Sequence, residues 1–71
     1  MHFVADYTDK VVIFQGLFSE SDKKYIRFSV CTKYDDAVVR AAEWAKDNHL
    51  THIFDAANGK SLHVSNLNSK Y

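Results

Sequence analysis

Apolar positions are densest in the run Val11-Val12-Ile13-Phe14-Gln15-Gly16-Leu17-Phe18, which the polar Ser19-Glu20-Ser21-Asp22 follows at once. Read as an extended strand from Lys10 to Phe18, this run sends Val12, Phe14 and Phe18 to one side and Val11, Ile13 and Leu17 to the other. A strand apolar on both sides belongs in the middle of a sheet. A chain of 71 residues can cover one face of such a sheet with a helix, and hardly both. The other face then calls for a partner, either a second copy or another protein.

The segment Tyr25 to Cys31 alternates, with Ile26, Phe28 and Val30 on one side and Tyr25, Arg27 and Ser29 on the other. It reads as a half-wet strand that forms a hairpin with the first, across the turn at Ser19–Asp22. Thr32 then suits a helix N-cap, with Asp35 three residues later and Asp36 in the first turn. From Tyr34 the apolar residues Tyr34, Ala37, Val38, Ala41, Ala42, Trp44 and Ala45 fill one stripe, and Asp36, Arg40, Glu43 and Asp47 the opposite side. Asn48 or His49 ends the helix. Leu50 to Ala56 reads as a third strand, Asn58-Gly59 as a two-residue hairpin with positive φ at both positions, and Ser61 to Val64 as a fourth strand. Residues 1–9 and 65–71 are expected to fray.

The predicted fold is α+β: a single β-β-α-β-β domain, one antiparallel or mixed sheet with one helix packed on one face. The order 2-1-3-4 is preferred to 1-2-3-4, because the latter leaves the most apolar strand at an edge. The expected core is Phe14, Ile26, Phe28, Val30, Val38, Ala41 and Ala45.

Composition narrows the function. Nine Lys plus Arg balance nine Asp plus Glu, so a general affinity for nucleic acid or an anionic membrane is not indicated. Cys31 is the only cysteine, and a secreted chain this small would usually carry several. The stretch MHFVADYTDK lacks the apolar segment of a signal peptide, and no apolar run approaches the ~18 residues of a membrane span. A cytoplasmic, free-standing product is the expectation.

Candidate chemistry is sparse. His49, His52 and Asp55 are spaced by three, which groups metal ligands on a helix. A strand there splits His49 from His52, and His2 and His63 have no local partner. No metal and no cofactor is expected. Cys31 lacks a glycine-rich oxyanion turn and reads as an unreactive thiol. Asp35-Asp36 is explained by its place at a helix start. No phosphate-binding or nucleophile-elbow motif occurs, and so thin a chain lacks a second layer to wall a pocket. The chain is not expected to be an enzyme. Tyr25 and Arg27, flanked by Lys23, Lys24 and Lys33, suggest a single-strand platform, but Glu20, Asp22 and Asp35 cancel the field. Protein binding fits better, through an apolar face rimmed by charge or through a free strand edge. A homodimer would hide the same face.

At Val12-Ile13-Phe14-Gln15-Gly16-Leu17-Phe18 and the acidic turn after it, the chain resembles the Dmd antitoxins of T-even-like phages. Val12, Phe14, Gly16, Phe18, Glu20 and Ser21 match, and the likeness spans roughly the first two thirds of the chain. The resemblance implies a stoichiometric inhibitor, acting in the host cytoplasm, that blocks the RNA-binding cleft of an endoribonuclease toxin of the RnlA/LsoA kind. In that reading Glu20, Asp22, Asp35 and Asp36 imitate RNA phosphates, Tyr25, Tyr34 and Trp44 are the anchors, and Arg27 is a further partner-binding residue. The segment Thr32 to Trp44 is also similar to other small phage inhibitors, among them the RNA-polymerase inhibitor of T-odd phages and several anti-CRISPR proteins.

Overall fold

The computed structural model describes residues 1–15 and 25–67. They form a five-stranded mixed sheet with a helix across one face. The strands are β1 (His2–Asp6), β2 (Val11–Gln15), β3 (Arg27–Cys31), β4 (His52–Asp55) and β5 (Lys60–His63); the helices are α1 (Tyr34–Asp47) and the single turn α2 (Val64–Leu67). The sheet order is β3-β1-β2-β4-β5, and only the β2–β4 pair is parallel. The helix α1 carries the chain from β3 at one edge, over β1 and β2, to β4. The α+β class with one packed helix is the one the sequence predicts. Among the described residues no helix is long and apolar enough to cross a membrane.

The N-terminal segment departs from expectation. Residues 2–6, expected to fray, form an inner strand paired with β2 on one side and β3 on the other. Val4 and Ala5 are fully buried. The predicted hairpin between the first apolar run and Tyr25–Cys31 is therefore absent, since each of those strands pairs with β1 instead. With β1 set aside, the order of the remaining strands is the preferred 2-1-3-4. Residues 16–18 of the predicted first strand and the turn at Ser19–Asp22 lie outside the described residues. So do residues 68–71, whereas 64–67 are helical.

Under α1 the sheet contributes Val4, Val11, Ile13 and Ile53, and the helix contributes Ala37, Ala41, Ala42, Trp44 and Ala45. The alanines let helix and sheet approach closely, so a one-turn stagger of small side chains meets branched ones. Of the seven predicted core residues, Ala41 and Ala45 are fully buried there and Val38 packs at the rim. Phe14 and Phe28 are half-buried on the other face, and Ile26 and Val30 are exposed. The reason is the orientation of β3. It turns Arg27, Ser29 and Cys31 toward the helix, because Arg27 finds its charge partners on that side. Choosing the other face of a strand moves every side chain at once.

Local signals differ in detail. The helix N-cap is Lys33, with extended backbone and no side-chain cap, not Thr32; its carbonyl accepts the Ala37 N–H at 3.2 Å. The C-terminus closes as a Schellman motif: His49, at φ 60°, donates its N–H to Lys46 O, and Leu50 to Ala45 O. The β4–β5 connection is a four-residue turn, 56–59, between the paired Asp55 and Lys60. Only Gly59 takes positive φ in it, so the two-residue hairpin is replaced by a wider one.

Candidate interaction surface

The face away from α1 is built in rows across the sheet. One row runs Phe28, Ala5, Val12, Phe54 and Ser61 from β3 to β5; its neighbour runs Val30, Phe3 and Phe14. Alternation puts these residues here because Val4, Val11, Ile13 and Ile53 take the helix side. Phe3 stacks on Phe14 and Phe28 with ring centres 5.8 and 5.7 Å apart. Phe28 also meets the Tyr25 ring at 5.3 Å. At the two ends of this aromatic group the hydrocarbon is open to water: Val30 is 51% exposed, Phe54 43%, and Ile26, just before β3, 62%. Apolar residues contiguous across a sheet and partly open to water form the kind of patch that proteins use for partners.

The predicted contact residues divide. Tyr25 belongs to the outer aromatic group. Arg27 does not share its face: it lies on the helix side, where Nε and Nη2 reach Asp6 Oδ2 at 2.7 and 2.6 Å and Nη1 reaches Asp47 at 3.3 Å. The Asp6 hydrogen bond raises the Arg27 guanidinium above its ordinary value, burial opposes this, and Asp47 adds to it. A platform of Tyr25 with Arg27 for single-stranded nucleic acid is thereby dismantled. Trp44 is buried in the core with the Arg27 guanidinium 4.9 Å from its ring centre, so it offers no face to a partner. Tyr34 is the first residue of α1 and points its hydroxyl to Asp55. Asp35 and Asp36 are exposed in the first helical turn. Glu20 and Asp22 lie outside the described residues. Sequence reading missed Phe3, Val30 and Phe54 as surface; the alternation of Ile53 and Asp55 with His52 and Phe54 was the available signal for the last of these.

Two aspartates are buried beneath α1, one at each of its ends. Asp6 accepts from the Asn48 side chain at 2.7 Å and from the Thr8 N–H at 2.8 Å, besides its Arg27 pair. Asp55 accepts from the Tyr34 hydroxyl at 2.5 Å, from Asn58 Nδ2 at 2.8 Å and from the Ala57 N–H at 3.1 Å. Burial alone would raise the Asp55 pKa; the hydrogen bonds from Tyr34, Asn58 and Ala57 outweigh it and hold the carboxyl below its ordinary value. The same bond, with burial, pushes Tyr34 up to about 12. These groups are consumed in fastening the helix.

Other candidates have less to offer chemistry. Cys31 lines a shallow groove of about 490 Å³ between β3 and α1, with Ser29, Asp36, Arg40 and Glu43 among its neighbours. Its Sγ lies 4.0 Å from Ser29 Oγ. The histidines are rearranged: His49 is spent on the helix C-terminus, while His52 stands directly opposite His63 across β4–β5. Among the described residues no group of three or more His, Cys, Asp or Glu side chains converges as metal ligands do. Comparison with protein-family models, curated proteins and solved structures gives no match to this chain.

Proposed function

We propose that this chain is a small inhibitory binding protein and not an enzyme. It acts by one-to-one occupation of a host enzyme, foremost an RNA-cleaving toxin of the RnlA/LsoA kind. The observation that carries the reading is the apolar outer face, where Ile26, Val30 and Phe54 keep open hydrocarbon around a stacked aromatic group. The likeness of Val12 to Ser21 to the Dmd antitoxins supports the choice of target. In this reading Ile26, Val30, Phe54 and Tyr25 are the anchors, in place of the buried Trp44 and the engaged Tyr34 and Arg27. Asp35 and Asp36 stand free at the helix start to meet a basic cleft and steer association.

The experiment is a cleavage assay with a purified toxin of that kind, RNA substrate and increasing amounts of the chain. Complete block near one equivalent is the expected result. Undiminished cleavage at large molar excess removes the toxin as target.

A further inference from the structure

We infer that His52 and His63 form a two-histidine site for a divalent transition-metal ion of the zinc, nickel and copper group. The two residues are direct partners in the antiparallel β4–β5 ladder, so their side chains rise from the sheet side by side. Both are exposed, which leaves an entry path. Their ring centres are 4.6 Å apart. With metal–nitrogen bonds of about 2.0–2.1 Å, two imidazoles held in cis on one ion have centres roughly 4.5–5 Å apart. The centre-to-centre spacing of this edge-to-face pair, with planes at 80°, falls within that range.

The rings are also oriented. His52 Nδ1 lies 2.8 Å from Thr51 Oγ1. His63 Nδ1 lies 2.6 Å from Ser65 Oγ and accepts the Ser65 N–H at 3.2 Å. Each ring thus has Nδ1 engaged by its own neighbour; because His63 Nδ1 accepts the Ser65 N–H, the neutral His63 ring carries its proton on Nε2, and coordination there needs the other tautomer. Partners on the far nitrogen fix ring orientation in metal sites generally. Coordination through Nε2 moves the His63 proton to Nδ1, where Ser65 Oγ can accept it; the exposed Ser65 N–H turns to water. Water fills the remaining positions on the ion. Imidazole nitrogen suits zinc, nickel and copper, and affinity rises toward Cu(II).

The test uses the untagged full chain titrated with Zn(II), Ni(II) and Cu(II) salts by calorimetry, alongside His52→Gln, His63→Gln and a His49→Gln control. Each of the first two substitutions should weaken binding at least tenfold, and the control should leave it unchanged. In the unmodified chain, trace Cu(II) should broaden the ring resonances of His52 and His63 before those of His2 and His49. The proposal is overturned if His52→Gln and His63→Gln bind metal as the parent does. It is equally overturned if broadening begins at His2 or His49. His52 shares the outer face with Phe54, but the metal titration reads the two histidines directly, so inhibition of a toxin can fail while this site stands.

Discussion

Under α1 lie two aspartates and an arginine beside the alanine stripe, whereas the side away from α1 carries phenylalanines and valines. The inversion is confined to β3, where Phe28 and Val30 face away from the core and Arg27 faces into it, whereas β1, β2 and β4 send Val4, Val11, Ile13 and Ile53 under the helix. The difference teaches what each side is for. Asp6, Asp55 and Arg27 set the position of the helix and are engaged there, while hydrocarbon at Ile26, Val30 and Phe54 stays open on the other side.

The two ends of the helix sharpen this. Asp55 sits by the N-terminus of α1, where the helix dipole favours negative charge, and neutral donors suffice to hold it. Asp6 sits by the C-terminus, where the dipole opposes a carboxylate and Asp47 adds a second one. There a cation is required, and Arg27 bridges both. That requirement is the physical reason why β3 presents its polar side to the core.

The largest test of the contrast is truncation on each face. Ile13→Ala removes a fully buried side chain and should cost about 2–5 kcal/mol, enough to threaten so small a domain. Phe28→Ala removes a larger side chain that is only half-buried and should cost less than Ile13→Ala in the same denaturant titration. The reverse order would place the true core on the outer face.

Next is the Arg27–Asp6 pair. Arg27→Met should destabilise the chain by leaving a buried carboxylate without its cation, and Asp6→Asn in the same background should recover part of the loss. Additive losses in thermal melts of the single and double variants would deny the coupling.

The Asp55 end should show itself in pH. Unfolded tyrosine ionises near its ordinary value of 10.0 while folded Tyr34 holds its proton to about 12. Stability from this bond is therefore complete below pH 10 and lost as pH rises from there to about 12. On the acid side, the lowered Asp55 pKa gives stability that is present above the ordinary carboxylate value and lost as pH falls through the folded one. Tyr34→Phe should remove the alkaline loss, and Asp55→Asn should remove its share of the acid loss. Melting curves from acid to alkaline pH check both.

These contrasts also explain what could be read from the chain beforehand. The helix was legible because its stripe from Tyr34 to Ala45 holds over several turns. The inner position of Val11–Gln15 was legible because it is apolar on both sides. The strand β1 was not, since Phe3-Val4-Ala5 is too short a run to show a period. The face of β3 was not, because it depends on Asp6, a residue in that unread strand. The pairing of His52 with His63 was hidden by the four-residue turn, which sets a register that Asn58-Gly59 alone does not give. The proposed anchors Val30 and Phe54 were lost for the same reason: which side is outside follows from tertiary pairing and not from local pattern.

The smallest expected effect concerns His49, which holds a left-handed conformation at the helix end. His49→Gly should stabilise the chain by about 1 kcal/mol, because glycine adopts that conformation without the Cβ clash. Urea midpoints read this directly, and a loss of stability would mean that the imidazole makes a contact worth more than the strain.

The claim that the outer face is the working surface is tested most directly by a Val30→Asp, Phe54→Asp double variant in the toxin-cleavage assay. Circular dichroism and melting should show the fold retained, since both residues are exposed. With the fold intact, inhibition should fall at least tenfold. A folded double variant that inhibits as well as the parent would contradict the account and move the interface elsewhere on the chain.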